Sequence, residues 1–164
     1  MLYLKMKENA FIFNVPDIKK AGFLNASIEI EPEEFEDAFP GRKVIQKVSA
    51  DVSFQSAGEN IVLTGKVIAS LSFECARCGN AAVKNFSDDF DGCYPDTLEY
   101  INIREDIRET LSLMEPMKFL CSENCKGRCP QCGADLNKGK CSCVQEKFSP
   151  FEALKNFNTA KNKK

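Results

Sequence analysis

The residues of this chain best suited to chemistry are its nine cysteines, and no histidine accompanies them. Eight of the nine stand in four close pairs, which is the arrangement of metal ligands. The pairs are Cys75/Cys78, Cys121/Cys125, Cys129/Cys132 and Cys141/Cys143. Thiolates are soft ligands, and Zn²⁺ accepts four of them in a tetrahedron without redox chemistry. Eight thiols are enough for two such sites, so the sequence predicts one or two structural zinc ions.

The spacing within two of the pairs has a geometric reason. Both Cys75-Ala-Arg-Cys78-Gly79 and Cys129-Pro-Gln-Cys132-Gly133 place two residues between the cysteines and a glycine after the second one. A turn of this length directs both sulfur atoms to one ion. The glycine allows an unusual φ where the chain leaves the turn, and Pro130 fixes φ inside the second turn.

The favoured partition keeps each close pair intact. One site takes Cys75, Cys78, Cys121 and Cys125, and the other takes Cys129, Cys132, Cys141 and Cys143. A crossed assignment, for example Cys121/Cys125 with Cys141/Cys143, is nearly as acceptable. A single site in the tail, with Cys75 and Cys78 free of metal, is a further alternative. Cys93 is expected to be a spare thiol.

Disulfides and thiol catalysis are the rival interpretations of these cysteines. The cysteine count is odd, and Met1-Leu-Tyr-Leu-Lys-Met-Lys7 interrupts its apolar run with charge too early for a secretory signal. We therefore expect a cytoplasmic protein, in which thiols stay reduced or bind metal. Redox catalysis at Cys75/Cys78 requires the pair at the start of a helix, whereas here it ends a predicted strand.

Other catalytic chemistry is disfavoured by composition. Without histidine there is no imidazole base and no Ser-His or Cys-His pair. Lys138-Gly-Lys140 lacks the spacing of a phosphate-binding Walker loop, and an all-cysteine zinc site is closed and structural. The sequence thus predicts that the protein is not an enzyme.

Alternating strands are expected to position the first cysteine pair. Apolar residues occupy mostly even positions from Lys43 to Ser56 and mostly odd positions from Ile61 to Cys75. Such alternation indicates half-buried strands, joined here by a hairpin turn at residues 57–60. A third strand is predicted over residues 81–90, so the Cys75/Cys78 turn replaces the second hairpin loop.

Two helices follow from capping signals. The first is predicted over residues 102–115, with Asn102 and Glu105 as its capping box and Pro116 beyond its end. Its apolar stripe consists of Ile103, Ile107, Leu111 and Met114. A short helix is predicted to begin at Ser149-Pro-Phe-Glu152, a capping box with proline at the first helical position. The first forty residues are harder to interpret, with a strand over residues 11–15 closed by Pro16, and a short helix or an acidic loop over residues 29–37.

The predicted fold class is α+β, an antiparallel β-meander with one amphipathic helix and a C-terminal zinc-ribbon-like module. The predicted divisions are a sheet domain over residues 1–117, a cysteine-rich module over residues 118–147 and a short helix with a basic tail over residues 148–164.

Charge is distributed unevenly between these parts. Residues 1–117 hold 12 basic and 20 acidic side chains for a net charge of −8, and residues 118–164 hold 10 and 4 for a net charge of +6. A basic tail suggests an anionic partner. The candidate nucleic-acid-binding residues are Lys126, Arg128, Lys138, Lys140, Lys155 and Lys161.

Several motifs together resemble the YceD family of bacteria and plastids. They are Phe73-Glu-Cys75-Ala-Arg-Cys78, then Glu115-Pro-Met-Lys-Phe-Leu-Cys121, then Asn124-Cys-Lys-Gly-Arg-Cys-Pro-Gln-Cys-Gly-Ala-Asp-Leu-Asn137, then Cys141-Ser-Cys143. The likeness covers roughly residues 40–157. The resemblance implies a non-enzymatic factor in ribosome biogenesis that supports accumulation or processing of large-subunit (23S) ribosomal RNA. It also implies pre-ribosomal RNA or a large-subunit ribosomal protein as partner. No apolar stretch approaches the roughly 20 residues of a membrane span, so we expect no membrane partner, and we expect no small-molecule substrate.

Two other functions stay open from the sequence. In the first, the protein is an adaptor whose acidic body binds a basic partner, and the zinc is structural only. In the second, which is less favoured, it is a thiol-dependent redox or metal-transfer protein with labile zinc.

Overall fold

The structure, a computed structural model, describes residues 10–143. The chain divides into two compact units, of which the first ends at Cys125 and the second begins at Lys126. The regular elements, all in the first unit, are β1 (Ile12–Asn14), α1 (Val15–Ala21), β2 (Phe23–Ile30), a 3₁₀ segment (Pro32–Ala38), β3 (Ile45–Ala57), β4 (Asn60–Glu74), β5 (Ala81–Pro95), β6 (Tyr100–Asn102) and α2 (Arg104–Leu113).

The main sheet of the first unit is antiparallel and four-stranded, in the order β2-β3-β4-β5, and β1 pairs with β6 in a second, two-stranded antiparallel sheet. Consecutive strands are neighbours, so the predicted meander is confirmed, as is the α+β class with antiparallel sheets. A two-residue turn, Gly58-Glu59, joins β3 to β4, and Gly58 has a φ of +66°. The third predicted strand extends five residues further than expected, to Pro95, because Tyr94 continues to pair with Ile61.

One face of this sheet is apolar and covered. The alternating residues of β3 and β4 that point to it include Val52, Phe54, Leu63 and Leu71, all 3% exposed or less. The helix α2 packs on that face through the predicted stripe, since Ile103, Ile107 and Leu111 are fully buried and Met114 nearly so. The opposite face carries polar residues, as expected for an antiparallel sheet with one solvated side.

The N-terminal region differs from the prediction. The strand β1 ends at Asn14, and Pro16 lies in the first turn of α1 instead of simply closing a strand. The strand β2 was not predicted, although its apolar residues alternate with Asn25, Ser27 and Glu29. It pairs with β3 from Phe23 to Ile30. The acidic run that follows forms the 3₁₀ segment around the buried Phe35.

The start of α2 is held differently from the predicted capping box. Asn102 Oδ1 accepts a hydrogen bond from the backbone N–H of Arg104 at 3.0 Å. The Glu105 carboxylate accepts hydrogen bonds from the Arg108 side chain instead. The predicted C-terminal helix after Ser149 lies outside the described residues. Within residues 10–143, no helix has the length and apolar character needed to cross a membrane.

Candidate metal centres

The first cluster of cysteines lies at the end of the sheet, where β4 gives way to β5. Cys75 and Cys78 form the turn between these strands, and Cys121 and Cys125 come from the segment after α2. The four sulfur atoms lie within 4.8 Å of one another. Cys75, Cys78 and Cys125 are 3% exposed or less.

The sulfur separations fit a metal site and not a disulfide. Cys75 Sγ lies 3.7 Å from Cys125 Sγ, and Cys78 Sγ lies 3.7 Å from Cys121 Sγ. Four sulfur atoms at about 2.3 Å from a central Zn²⁺ define a tetrahedron with edges of about 3.8 Å, whereas a disulfide bond measures about 2 Å. All nine cysteines are free thiols. The cluster therefore has the dimensions of a four-thiolate zinc site.

Backbone hydrogen bonds shape the Cys75–Cys78 turn. The N–H of Gly79 donates to the carbonyl of Cys75 at 2.8 Å, and the N–H of Cys75 donates to the carbonyl of Asn80 at 3.0 Å. Gly79 has a φ of +68°, a conformation that a side chain disfavours. The sequence predicts an unusual φ at this glycine, and the structure has it.

Two further contacts tie this turn to the segment that carries Cys121 and Cys125. The N–H of Ala76 donates to the carbonyl of Phe119 at 2.8 Å. The Arg77 guanidinium donates to the carbonyls of Cys125 at 2.9 Å and Glu123 at 3.3 Å. Arg77 was not singled out from the sequence, and its place between two cysteine ligands is the signal that points to it.

The second cluster lies wholly in the second unit. Cys129, Cys132, Cys141 and Cys143 bring their sulfur atoms within 4.8 Å of one another. The turn repeats the first one: the N–H of Gly133 donates to the carbonyl of Cys129 at 2.9 Å, and the N–H of Cys129 donates to that of Ala134 at 2.8 Å. Gly133 has a φ of +73°.

Asp135 and Asn137 support the second turn, and neither was identified from the sequence as a structural residue. Asn137 Oδ1 accepts the backbone N–H of Lys126 at 2.7 Å. Asp135 Oδ1 accepts the backbone N–H of Asn137 at 2.9 Å and its side-chain amide at 2.8 Å. The short side chains of Asp135 and Asn137, two and four residues after Gly133, are typical of such local turns.

The thiols of each cluster differ in acidity. The backbone N–H of Cys121 lowers the pKa of Cys75 to about 6, while the side chain of Cys125 raises the pKa of Cys121 to about 12. In the second cluster the backbone N–H of Cys132 lowers the pKa of Cys129 to about 6, and the side chain of Cys132 raises the pKa of Cys143 to about 12. Once one thiol of a cluster has ionised, like charge disfavours ionisation of its neighbours. A bound cation reverses that effect. Each cluster could thus hold a metal ion.

The structure therefore brings the eight cysteines together in the two sets that the sequence favours. It does not bring together the crossed set of Cys121/Cys125 with Cys141/Cys143 among the described groups. That these eight side chains bind metal stays a prediction. Cys93 lies in β5, exposed and outside both clusters.

The candidate RNA-binding residues fall into two groups. Lys126, Arg128, Lys138 and Lys140 are exposed, all in the second unit. Arg128 forms a backbone bridge with Asp135 across the second turn. Lys155 and Lys161 lie outside the described residues.

Comparisons with known proteins relate this geometry to a family. Residues 87–158 match the family model described as large ribosomal RNA subunit accumulation protein YceD, a description of an accumulation factor and not of an enzyme. An Arabidopsis thaliana protein, described as large ribosomal RNA subunit accumulation protein YCED homolog 1, chloroplastic, is 40% identical over 53 residues, which are 32% of this chain and 16% of the relative.

Bacterial relatives cover more of the chain. Uncharacterized proteins of Mycobacterium bovis and Mycobacterium tuberculosis are 30% identical over 106 residues, which are 52% of this chain and 50% of each relative. The chain thus spans half the length of these relatives and a smaller share of the plant protein. No solved structure matches the chain significantly. The resemblance to the YceD family that the cysteine motifs indicate is confirmed over residues 87–158, which match the family model.

Proposed function

We propose that this protein is a non-enzymatic ribosome biogenesis factor that supports accumulation or processing of large-subunit (23S) ribosomal RNA. The family description and the plant relative support the general role. The observation that carries the mechanism is the exposure of four basic side chains on a small cysteine-held module, in the part of the chain whose net charge is positive. In this proposal they contact the phosphates of pre-ribosomal RNA.

Zinc has a structural part in the proposal. Each cluster holds one Zn²⁺ through four thiolates, with Cys75, Cys78, Cys121 and Cys125 in one site. The second site uses Cys129, Cys132, Cys141 and Cys143. A closed site leaves no open position for a substrate or for an activated water, so the ion fixes the turns that display the basic residues.

A reducing compartment fits this use of cysteine, and we propose the cytoplasm. All nine thiols are free, and disulfides are rare where glutathione keeps thiols reduced. The Arabidopsis relative is described as chloroplastic. Imaging of the tagged protein in its own cells tests the location, and a plastid signal would contradict this part of the proposal.

Ultraviolet crosslinking in cells, followed by sequencing of the attached RNA and mapping of the crosslinked peptides, tests the RNA role. We expect large-subunit precursor RNA attached to peptides from residues 118–164. Absence of crosslinks, with the protein still sedimenting with large-subunit precursors, would favour binding through a ribosomal protein instead.

A charge-reversal variant sharpens the test with purified protein. Replacing Lys126, Lys138 and Lys140 with Glu removes three phosphate contacts, so the slope of log affinity against log salt falls by about 2 for single-stranded RNA. Affinity for a large-subunit precursor fragment should fall at least about tenfold at low salt. Arg128 is left in place because it lies in the backbone bridge to Asp135 that closes the turn.

The matched control reverses three exposed lysines of the first unit, Lys20, Lys43 and Lys47. It changes the net charge by the same amount, and both variants should keep the zinc content of the unmodified protein. Equal loss of affinity in the control would show that total charge, and not the cysteine module, governs RNA binding.

A further inference from the structure

The strand β5 forms one edge of the four-stranded sheet. It runs for 15 residues, from Ala81 to Pro95, and β4 is its neighbour on one side. Within residues 10–143, no strand pairs with its other side. Proteins usually shorten, cover or interrupt such an edge, and the length of this one makes it a candidate binding surface.

The register determines which backbone groups point away from the sheet. Ala57 and Asn60 flank the two-residue turn between β3 and β4, so they exchange both backbone hydrogen bonds. Because hydrogen-bonded and non-hydrogen-bonded pairs alternate along the strands, the backbone N–H and C=O groups of the odd residues of β4 point toward β5. There they meet the backbone groups of even residues such as Asp88 and Phe90. The backbone groups that face outward belong to Val83, Asn85, Ser87, Asp89, Asp91 and Cys93.

A local contact agrees with this assignment. The backbone N–H of Asp89 donates to the side chain of Asp88 at 3.0 Å, which is possible because that N–H is not used by β4. This edge thus presents outward donors and acceptors at alternate residues over eleven positions, at the spacing that an added strand requires. An added strand would replace the Asp88 side chain as the acceptor of the Asp89 N–H.

The exposed charged side chains in the middle of this edge are acidic. Asp88, Asp89 and Asp91 are all exposed. Lys66 approaches Asp89 at 3.6 Å, with both side chains at least half exposed, and such a pair is weak. Asp89 and Asp91 share the solvated face of the sheet, so basic side chains on that face of an added strand would meet two carboxylates.

The opposite face of the same edge offers apolar contacts. Phe86 and Phe90 are half-buried there against the core. The helix α2 borders them, because Tyr94 of β5 donates a hydrogen bond to Asp106 of α2 at 3.0 Å. Leu113, seven residues after Asp106 and on the same side of α2, is 78% exposed.

We propose that β5 binds an extended polypeptide segment of a partner protein by strand addition, and that basic residues alternate with apolar residues in this segment. Backbone hydrogen bonds to the outward groups of β5 supply affinity. Basic residues meet Asp89 and Asp91, and apolar residues meet Phe86, Phe90 and Leu113. A second copy of this chain is disfavoured as occupant, because two β5 strands would set like charges opposite one another. The proposal is independent of RNA binding by the second unit.

The first test uses a labelled decapeptide of alternating valine and lysine with the full-length, zinc-loaded protein. Bound peptide should slow hydrogen exchange at the amides of Ser87, Asp89 and Asp91. The amides of Asp88 and Phe90 already bond to β4 and should change little. A second peptide carries N-methyl groups on the backbone face that meets β5, and it should bind at least about tenfold more weakly because its donors are removed.

Two protein variants complete the test. Ser87→Pro removes one outward N–H while leaving the bonds to β4, since proline is tolerated where the N–H faces solvent on an edge. Ser87→Pro should weaken binding of the peptide at least about tenfold, whereas Ser87→Ala should leave binding unchanged. If Ser87→Pro lowers the unfolding temperature, the double change Asp89→Lys and Asp91→Lys keeps the backbone intact and should also abolish binding of the lysine peptide.

Two results would overturn the proposal. Equal binding of the N-methylated peptide would mean that charge alone attracts the segment, without an added strand. Protection of Ser87, Asp89 and Asp91 that appears without peptide and rises with protein concentration would mean that a second copy of the chain covers the edge.

Discussion

Arg77, which lies between two cysteine ligands, connects distant parts of the first metal site. It stands inside the Cys75–Cys78 turn, yet its guanidinium donates to the carbonyls of Cys125 and Glu123. It therefore joins two ligand pairs that are more than forty residues apart in the chain. Groups that orient metal ligands commonly change metal affinity 10- to 100-fold when they are removed.

We predict that Arg77→Ala speeds loss of zinc from the first site about 10- to 100-fold. The measurement is the rate at which a colorimetric chelator takes up zinc from the loaded protein. Arg42→Ala is the control, because Arg42 also forms two hydrogen bonds, to the Glu115 carboxylate. An unchanged rate for Arg77→Ala would mean that the four thiolates hold their geometry without this bridge.

At the scale of elements, a hydrogen bond between side chains joins α2 to β5 at the edge of the sheet. The Tyr94 hydroxyl donates to Asp106 Oδ2 at 3.0 Å. Burial, and then the hydrogen bond to the Asp106 carboxylate, raise the pKa of Tyr94 to about 12. The neutral phenol is thus favoured in the folded protein, since ionisation would break the contact and place two negative charges together.

The sign of the pH dependence follows from that shift. The folded pKa lies above the value of about 10 in an unfolded chain, so the stabilisation is fully present below pH 10 and is lost as pH rises through about 12. Alkaline absorbance titration should show one tyrosine ionising later than the others. Tyr94→Phe should remove that late step and lower the free energy of unfolding by ~1 kcal/mol.

Tyr100→Phe is the control for this prediction, because Tyr100 is 55% exposed. It should leave both the late step and the stability nearly unchanged. A late step that survives in Tyr94→Phe would assign the raised pKa to another tyrosine.

For the whole molecule, the two units differ in what can stabilise them. The first unit has a continuous core that includes Phe35, Phe54 and Leu63, all fully buried. Among the described residues of the second unit, from Lys126 to Cys143, only Gly127 and Cys129 are buried. A segment of this size without an apolar core requires a metal or another crosslink to fold.

We predict about two zinc ions per chain by elemental analysis, because two four-sulfur clusters are present. Strong chelation should remove protection from hydrogen exchange in residues 126–143, whereas the amides that join β3 to β4 should stay protected. One zinc per chain would contradict the two-site scheme, and protection of residues 126–143 that survives chelation would contradict the structural role of the metal.

The sequence by itself determined the features that depend on neighbouring residues. Alternation of apolar and polar residues marked β3 and β4, a four-residue stripe marked α2, and the Cys-x-x-Cys-Gly spacing marked two turns whose glycines have positive φ. Even β2 carries such a signal in Leu24, Ala26, Ile28 and Ile30. The seven-residue α1 is too short for a periodic pattern, and Pro16 in its first turn is compatible with both the end of a strand and the start of a helix.

Only the tertiary structure decided which distant residues meet. Cys75 and Cys125 are fifty residues apart, and their approach depends on α2 and the following segment returning to the end of β4. Spacing along the chain could not choose between this partition and a crossed one, because close pairs satisfy both equally well. The free edge of β5 likewise follows from strand order and register, which long-range pairing fixes and which no local pattern contains.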